Sequence, residues 1–231
     1  MASEALAATR CVELCASGDA AALMKGSLHT DVLMHAVLKA EGLRTSRRIS
    51  HIFIMEAPLY HRQALFITDA AINIYPSLEE KVDIVQNAID LAHALGILEP
   101  KVAVLSAIET VNPKMVSTLD AAALCKMADR GQITGGILDG PLAFDTAVSA
   151  DAALAKGLKS PVAGEADILI APDLDAANML AKQLEYLGGA HLAGIVMGAK
   201  VPIILTSRAD SPESRVVSCA IASILVHGRA T

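Results

Sequence analysis

A chain of 231 residues that is 53% hydrophobic and only 19% charged can bury a sizeable core, in one large domain or two small ones, and is not a disordered segment. The net charge of −6 argues against a general nucleic-acid binder, which needs a basic surface. The longest apolar run, near residues 195–205, is broken by Lys200 and Pro202 and is too short to span a membrane. Trp is absent and aromatics are 3%, so the core must come from Ala, Leu, Ile, Val and Met, which suits Ala-rich helices on Val/Ile-rich strands.

Taken in order, the chain alternates. The first 18 residues carry acidic side chains at positions 4 and 13 and no signal-peptide core. The four cysteines form no CxxC pair, which points to reduced thiols in a cytoplasmic protein. Cys11 and Cys15 share a helix face, but no histidine nearby completes a metal set. Ala5, Ala8, Val12 and Cys15 give that first helix one apolar face, and Gly18 closes it. A short strand at 21–24 and the segment KGSLHTD lead to a helix over 31–40. The basic stretch 41–48 reads as a crossing between domains.

Strands follow at 49–55 and 64–68, joined by a hairpin or short connection, and Ser77 caps a helix running to Leu95 with Gly96 beyond it. A strand at 102–105 precedes a helix over 118–128, with Leu119, Ala123 and Met127 inward and Ser117 with Asp120 resembling a capping box. The strand 136–138 runs into DGPLAFD, and a short helix at 150–156 precedes the strand 168–170. Asp173 and Asp175 start the next helix. Two apolar runs, 194–197 and 201–205, then end in Thr206, Ser207 and Arg208. Val216, Val217, Ala220, Ile221, Ile224 and Leu225 give the last helix its apolar face. Unbroken apolar strands alternating with helices imply an α/β fold with a mainly parallel, doubly covered sheet.

Polar residues gather in the turns after strands, at 26–31, 69–73, 109–112, 139–145, 173–178 and 206–210. Each alone is ordinary turn and cap chemistry. Six on one sheet edge would line a single crevice, where ligands bind in open α/β sheets. A hydroxyl and an arginine at Ser207 and Arg208, just ahead of a helix, suit an anion. No GxGxxG follows a strand, MKGS lacks the first glycine of a P-loop, and GxSxG is absent.

In this order, KGSLHTD, ITDAAINI, ETVNPKM, DGPLAFDTAVS, PDLDAANMLAKQL and GAKVPIILTSR resemble the phosphate acetyltransferase and phosphate butyryltransferase family, from about residue 21 to the C-terminus. DGPLAFD and ILTSRAD are more similar to the butyryl branch and to the transferase part of certain bifunctional proteins. The resemblance implies reversible acyl transfer, acyl-CoA + Pi ⇌ acyl phosphate + CoA, with coenzyme A as a substrate and no cofactor or metal. It implies two α/β/α domains of isocitrate/isopropylmalate dehydrogenase-like architecture, with the active site in the cleft between them, usually in a homodimer. The outer domain would be residues 1–45 plus 194–231, and the inserted domain 46–193.

On the same resemblance, Ser207 donates a hydrogen bond to developing negative charge and Arg208 pairs with phosphate or coenzyme A. Ser27, His29 and Thr30 match a phosphate-binding segment. Asp210 and Glu213 are the carboxylates after Ser207, and Asp210, nearer the strand end, is the expected base. Both also suit a helix start. Three departures stand out: Ser214 where acetyl enzymes place an acidic base, His35 where they carry an arginine, and a further βα-rich segment expected ahead of the position of Met1. The competing reading is a truncated, non-catalytic domain that binds coenzyme A or a partner. A dehydrogenase reading lacks any nicotinamide or metal motif. Aliphatic composition and ILTSRAD lead us to expect acyl chains of about two to four carbons to be accepted.

Overall fold

The computed structural model describes residues 3–39 and 43–228. The expected helix end at Ala40 and the start of the domain crossing, Glu41 and Gly42, lie outside the described residues. Ser3 caps α1 (Glu4–Ala16), which buries Ala8, Val12 and Cys15 and stops ahead of Gly18, whose φ of 85° is open to glycine at no steric cost. After β1 (Leu23–Met24) comes α2 (Thr30–Lys39), and the two helices pack as a pair through Val12, Leu33 and Val37. The hairpin β2 (Ser50–Glu56) and β3 (Leu65–Thr68) is antiparallel, as the connecting loop suggested.

The Ser77–Glu80 capping box starts α3 (Leu78–Ala94). Then follow β4 (Lys101–Leu105), α4 (Val116–Asp129), β5 (Ile137–Leu142), α5 (Phe144–Val148) and α6 (Ala150–Ala155). The chain closes with β6 (Ile168–Ile170), α7 (Leu174–Tyr186), β7 (His191–Met197), β8 (Ile203–Ile204) and α8 (Pro212–Gly228).

All eight strands form one sheet in the order β1-β8-β7-β2-β3-β6-β4-β5. Four of its seven ladders are parallel, while β2–β3, β2–β7 and β7–β8 are antiparallel. Consequently β1, β8 and β2 run against the other five. The carboxyl ends of β1 and β8 lie on the opposite edge from those of β3, β4, β5 and β6, so six turns on one edge is not what the sheet offers. The segments 1–45 plus 194–231 and 46–193 meet along β2–β7, from Ser50 opposite Met197 to Phe53 opposite Gly194.

Side chains alternate between the faces, as the period of a strand requires. Ile52, Phe66, Val102, Ile168, Ile195 and Ile204 turn to α3, α4 and α8. Phe53, Ile67, Ala103 and Leu169 turn to α5 and α7, and Val196, Ile203 and Leu205 to α1 and α2. The second face therefore carries two separate helix groups with a gap over β2 and the end of β8.

Three local expectations change. On α4 the buried residues are Thr118, Ala121 and Leu124, and Leu119 is exposed. Its start has no side-chain cap, because Asp120 pairs instead with the buried Lys81 at 2.6 Å and Ser117 meets Ser106. On α8 the inward face is Ser214, Ser218, Ile221, Ala222 and Leu225, while Val216, Val217, Ala220 and Ile224 are exposed. Ser218 takes the Gly194 N–H at 3.0 Å and donates to the Ser214 carbonyl at 2.7 Å, so small hydroxyls let α8 lie close on β7. In DGPLAFD, DGPL is the end of β5 rather than a loop.

Candidate active site

Two adjoining cavities, of about 490 and 330 Å³, lie past the carboxyl ends of β1 and β8. The larger is lined by Met24, Lys25, Gly26, Ser27, Thr206, Ser207, Arg208 and Arg215. The smaller shares Lys25, Thr206, Ser207 and Arg208 and adds His29 and Thr30 beside α2, Asn178 and Lys182 from α7, and Phe53, Ala71 and Leu205 beneath. The expected Ser27, His29, Thr30, Ser207 and Arg208 are thus brought together. His35 is not, since it lines a groove between α1 and α2. Of the six polar turns, 109–112 and 139–145 contribute nothing here. They sit at the far end of the sheet and meet through Lys156, whose Nζ lies 2.8 Å from Glu109 and 3.0 Å from Asp145.

The Ser207 turn is built from below and from behind. Asp210 is buried, and its Oδ2 accepts the Ser207 N–H at 2.7 Å. Ser211, not Asp210, caps α8 by accepting the Ser214 N–H at 3.0 Å. Ser207 Oγ accepts the Ala209 N–H at 3.3 Å, which leaves its hydroxyl proton to donate outward. The Arg208 carbonyl accepts from Arg215 at 3.2 Å, and the Arg208 guanidinium is exposed, with no ion pair to Asp210 or Glu213.

Beneath the turn, the buried His51 faces the Leu205 carbonyl at 3.2 Å. A carbonyl can only accept, so Nε2 carries the proton; Nδ1 is buried without a partner. Burial pushes the His51 imidazolium well below the usual histidine range, against the pull of Asp69 and Asp210. Gly194 makes room for this contact: a Cβ there would strike the Leu205 carbonyl and crowd the His51 ring.

Lys25 is the charged group sequence reasoning passed over. It is buried, 6% exposed, and its Nζ donates to the carbonyls of Gly26 at 3.1 Å and Leu28 at 3.3 Å. Burial, and next the charge of Arg208, lower its pKa, with Arg215 acting the same way and Asp210 opposing. Glu185, near the end of α7, is raised by burial first and by Asp210 second. The sequence signal for Lys25 was its place directly after an apolar strand. Lys182 and Arg215 gave none, being polar positions on amphipathic helices. Among the described residues, no group of three or more His, Cys, Asp or Glu could hold a metal ion, and no helix is long and apolar enough to cross a membrane.

The cavity linings include four cations, Lys25, Lys182, Arg208 and Arg215, and no carboxylate. Fold and site together define an α/β protein with a cation-lined crevice past the ends of β1 and β8. Residues 2–223 match the family model described as phosphate acetyl/butaryl transferase. A phosphate acetyltransferase of Rhizobium meliloti is 63% identical over 219 residues, 94% of this chain and 69% of that protein. A phosphate butyryltransferase of Clostridium acetobutylicum is 48% identical over 95% of this chain and 73% of its own length. The crystal structure of a branched-chain phosphotransacylase from Enterococcus faecalis V583 superposes with a TM-score of 0.89 at 38% identity, covering 98% of this chain and 81% of that one. The chain belongs to the phosphate acetyl/butyryl transferase family, a family of acyltransferase enzymes. It spans 63% of a Rickettsia prowazekii phosphate acetyltransferase, just under two thirds.

Proposed function

We propose that this protein transfers a short acyl group reversibly between coenzyme A and inorganic phosphate, acyl-CoA + Pi ⇌ acyl phosphate + CoA. The observation that carries the reading is the cavity lining: four cations and no carboxylate, in a chain whose net charge is −6. Both substrates are polyanions, and a wall of one sign concentrates them.

Arg208 offers phosphate a planar fork of donors. Thr30 begins α2, and with Ser27 and His29 it sets phosphate near that helix's free N–H groups. The outward Ser207 hydroxyl donates to the tetrahedral oxyanion as the acyl carbon is attacked. Asp210 gives one carboxylate oxygen to the Ser207 N–H, and its role is to hold that turn, and with it the hydroxyl, in place. Lys25, Ser27, Ser207 and Arg208 come from 1–45 plus 194–231, and Phe53, Asn178 and Lys182 from 46–193, which supports a cleft between an outer and an inserted domain. Coenzyme A enters as a substrate, and the reading extends to a cytoplasmic homodimer.

The test is direct. Purified protein receives acetyl-, propionyl- or butyryl-CoA with phosphate, and free thiol and hydroxylamine-trapped acyl phosphate are measured together. Equal amounts of both are expected, with each CH₂ changing kcat/KM by up to ~0.8 kcal/mol, about fourfold. Absence of acyl phosphate, with or without thiol, contradicts the reading.

A further inference from the structure

We propose that Lys25 is the proton shuttle of the acyl transfer, taking the proton of the coenzyme A thiol and returning it to the departing phosphate oxygen. This rests on the functional reading above and assigns the base it leaves open. Asp210 is engaged in the Ser207 turn, and Ser214, at the position where the resemblance puts an acid in acetyl enzymes, is a buried hydroxyl held against Ser211 at 3.1 Å. Glu213 is exposed in the first turn of α8 and lines neither cavity.

Geometry favours the lysine. Two reactants must meet at residues that both cavities share, and those are Lys25, Thr206, Ser207 and Arg208. Among them only the Lys25 amine can both take and return a proton, since the guanidinium titrates higher still and the hydroxyls are not basic. The Lys25 nitrogen is also aimed. Its hydrogen bonds to the Gly26 and Leu28 carbonyls occupy two of its positions. A neutral amine held by two N–H bonds keeps one lone pair, and the ammonium keeps one N–H, in the same direction. The same fixed position can therefore accept a proton and give it back.

The groups around it keep the proton loosely held. Arg208 and Arg215 oppose the ammonium from the turn and from α8, as does burial, and Asp210 favours it. His29 and Lys182 line the smaller cavity with it, and Glu185 feels the charge of Asp210.

In the direction that forms acyl-CoA, the S–H bond breaks as the proton passes to the Lys25 lone pair. The sulfur electron pair forms the bond to the acyl carbon, giving a tetrahedral oxyanion against Ser207. Its collapse breaks the bond from acyl carbon to phosphate oxygen, and that electron pair leaves on the phosphate. The phosphate oxygen then takes the proton from the Lys25 ammonium, so the lysine ends as it began and nothing is oxidised or reduced.

Lys25→Ala and Lys25→Arg separate proton transfer from charge. General-base assistance is typically worth 10²–10⁴ in rate, so both variants should lose at least about a hundredfold in kcat. Ethylamine, which fits the space left by Lys25→Ala and can carry a proton, should restore at least about tenfold of that loss. Guanidinium, which cannot give up its proton, should restore nothing. The pH dependence of the rescued rate should follow the added amine when ethylamine is exchanged for a weaker base. The proposal is overturned if Lys25→Arg keeps kcat within a few-fold, or if amines fail to rescue a variant that melts like wild type. Should Lys25→Ala not fold, Lys25→Arg decides alone. A wild-type protein that makes no acyl phosphate instead overturns the functional reading, so the two failures are distinct.

Discussion

Two polar turns are each held by a buried aspartate, one after β3 and one after β8, and they leave their residues in opposite situations. In the first, Asp69 accepts the N–H groups of Ala71, Ile72 and Asn73 at 3.0–3.1 Å and the Asn73 side-chain amide. Asn73 in turn holds the Ile49 carbonyl at 2.9 Å and accepts from Arg48 at 2.8 Å. In the second, Asp210 takes the N–H of Ser207, and Ser207 and Arg208 face the cavities. The difference lies in where the aspartate stands. Placed at the start of a turn, its carboxylate reaches forward and consumes successive N–H groups, as a cap does. Placed at the end, it reaches back to one N–H and leaves the intervening side chains to solvent or ligand.

Breaking the self-satisfied turn should cost most. Asp69→Ala strands several buried donors, and at about 1–3 kcal/mol for each unsatisfied group the loss should reach about 3–5 kcal/mol. Chemical denaturation measures it; a loss under about 1 kcal/mol would mean that the turn is held by other contacts. On the open turn, Arg208→Gln should leave melting unchanged and raise the KM for phosphate or coenzyme A tenfold to a hundredfold, about 1.5–3 kcal/mol. A lowered melting temperature with unaltered kinetics would make Arg208 structural.

His51 joins the two turns. Its carbonyl accepts the Thr68 hydroxyl at 2.8 Å and the Ala70 N–H at 3.4 Å, while its ring holds Leu205. Burial lowers its folded pKa, so below the ordinary value near 6.5 the unfolded chain binds a proton that the folded chain refuses. Stability should therefore be unaffected by this group above pH ~6.5 and fall by up to about 1.4 kcal/mol per pH unit beneath it. His51→Gln, which keeps a donor for Leu205, should flatten that acid slope. An unchanged slope would assign it to other groups. Smallest of all, Glu213→Gln on exposed α8 should shift stability by under about 0.5 kcal/mol and kcat by less than twofold. A large drop in kcat would make Glu213 the base.

Much of the fold was legible because its signals are local. Ser77 with Glu80 announces α3, Gly18 ends α1, and apolar runs of fixed period mark β2, β3 and β6. Strand direction was not, since an apolar run pairs equally well either way and only the three antiparallel ladders decide which edge a turn occupies. The inward face of α8 is not legible, because hydrophobicity favours Val216 and Val217, whereas the buried Ser218 is there to accept the Gly194 N–H. Ser207 and Arg208 were legible as a polar end to an apolar strand. Lys25, Lys182 and Arg215 reach the same cavities from distant parts of the chain, and no spacing rule connects them.

The most direct test of a crevice in which phosphate and coenzyme A meet is a crystal structure with inorganic phosphate and a coenzyme A analogue lacking the thiol. Phosphate should lie within hydrogen-bond distance of Arg208 and Ser207, with the end of the analogue's pantetheine arm beside Lys25. Phosphate and analogue bound away from the Ser207 turn, for instance in the apolar groove lined by Tyr60 and Phe144, would contradict it.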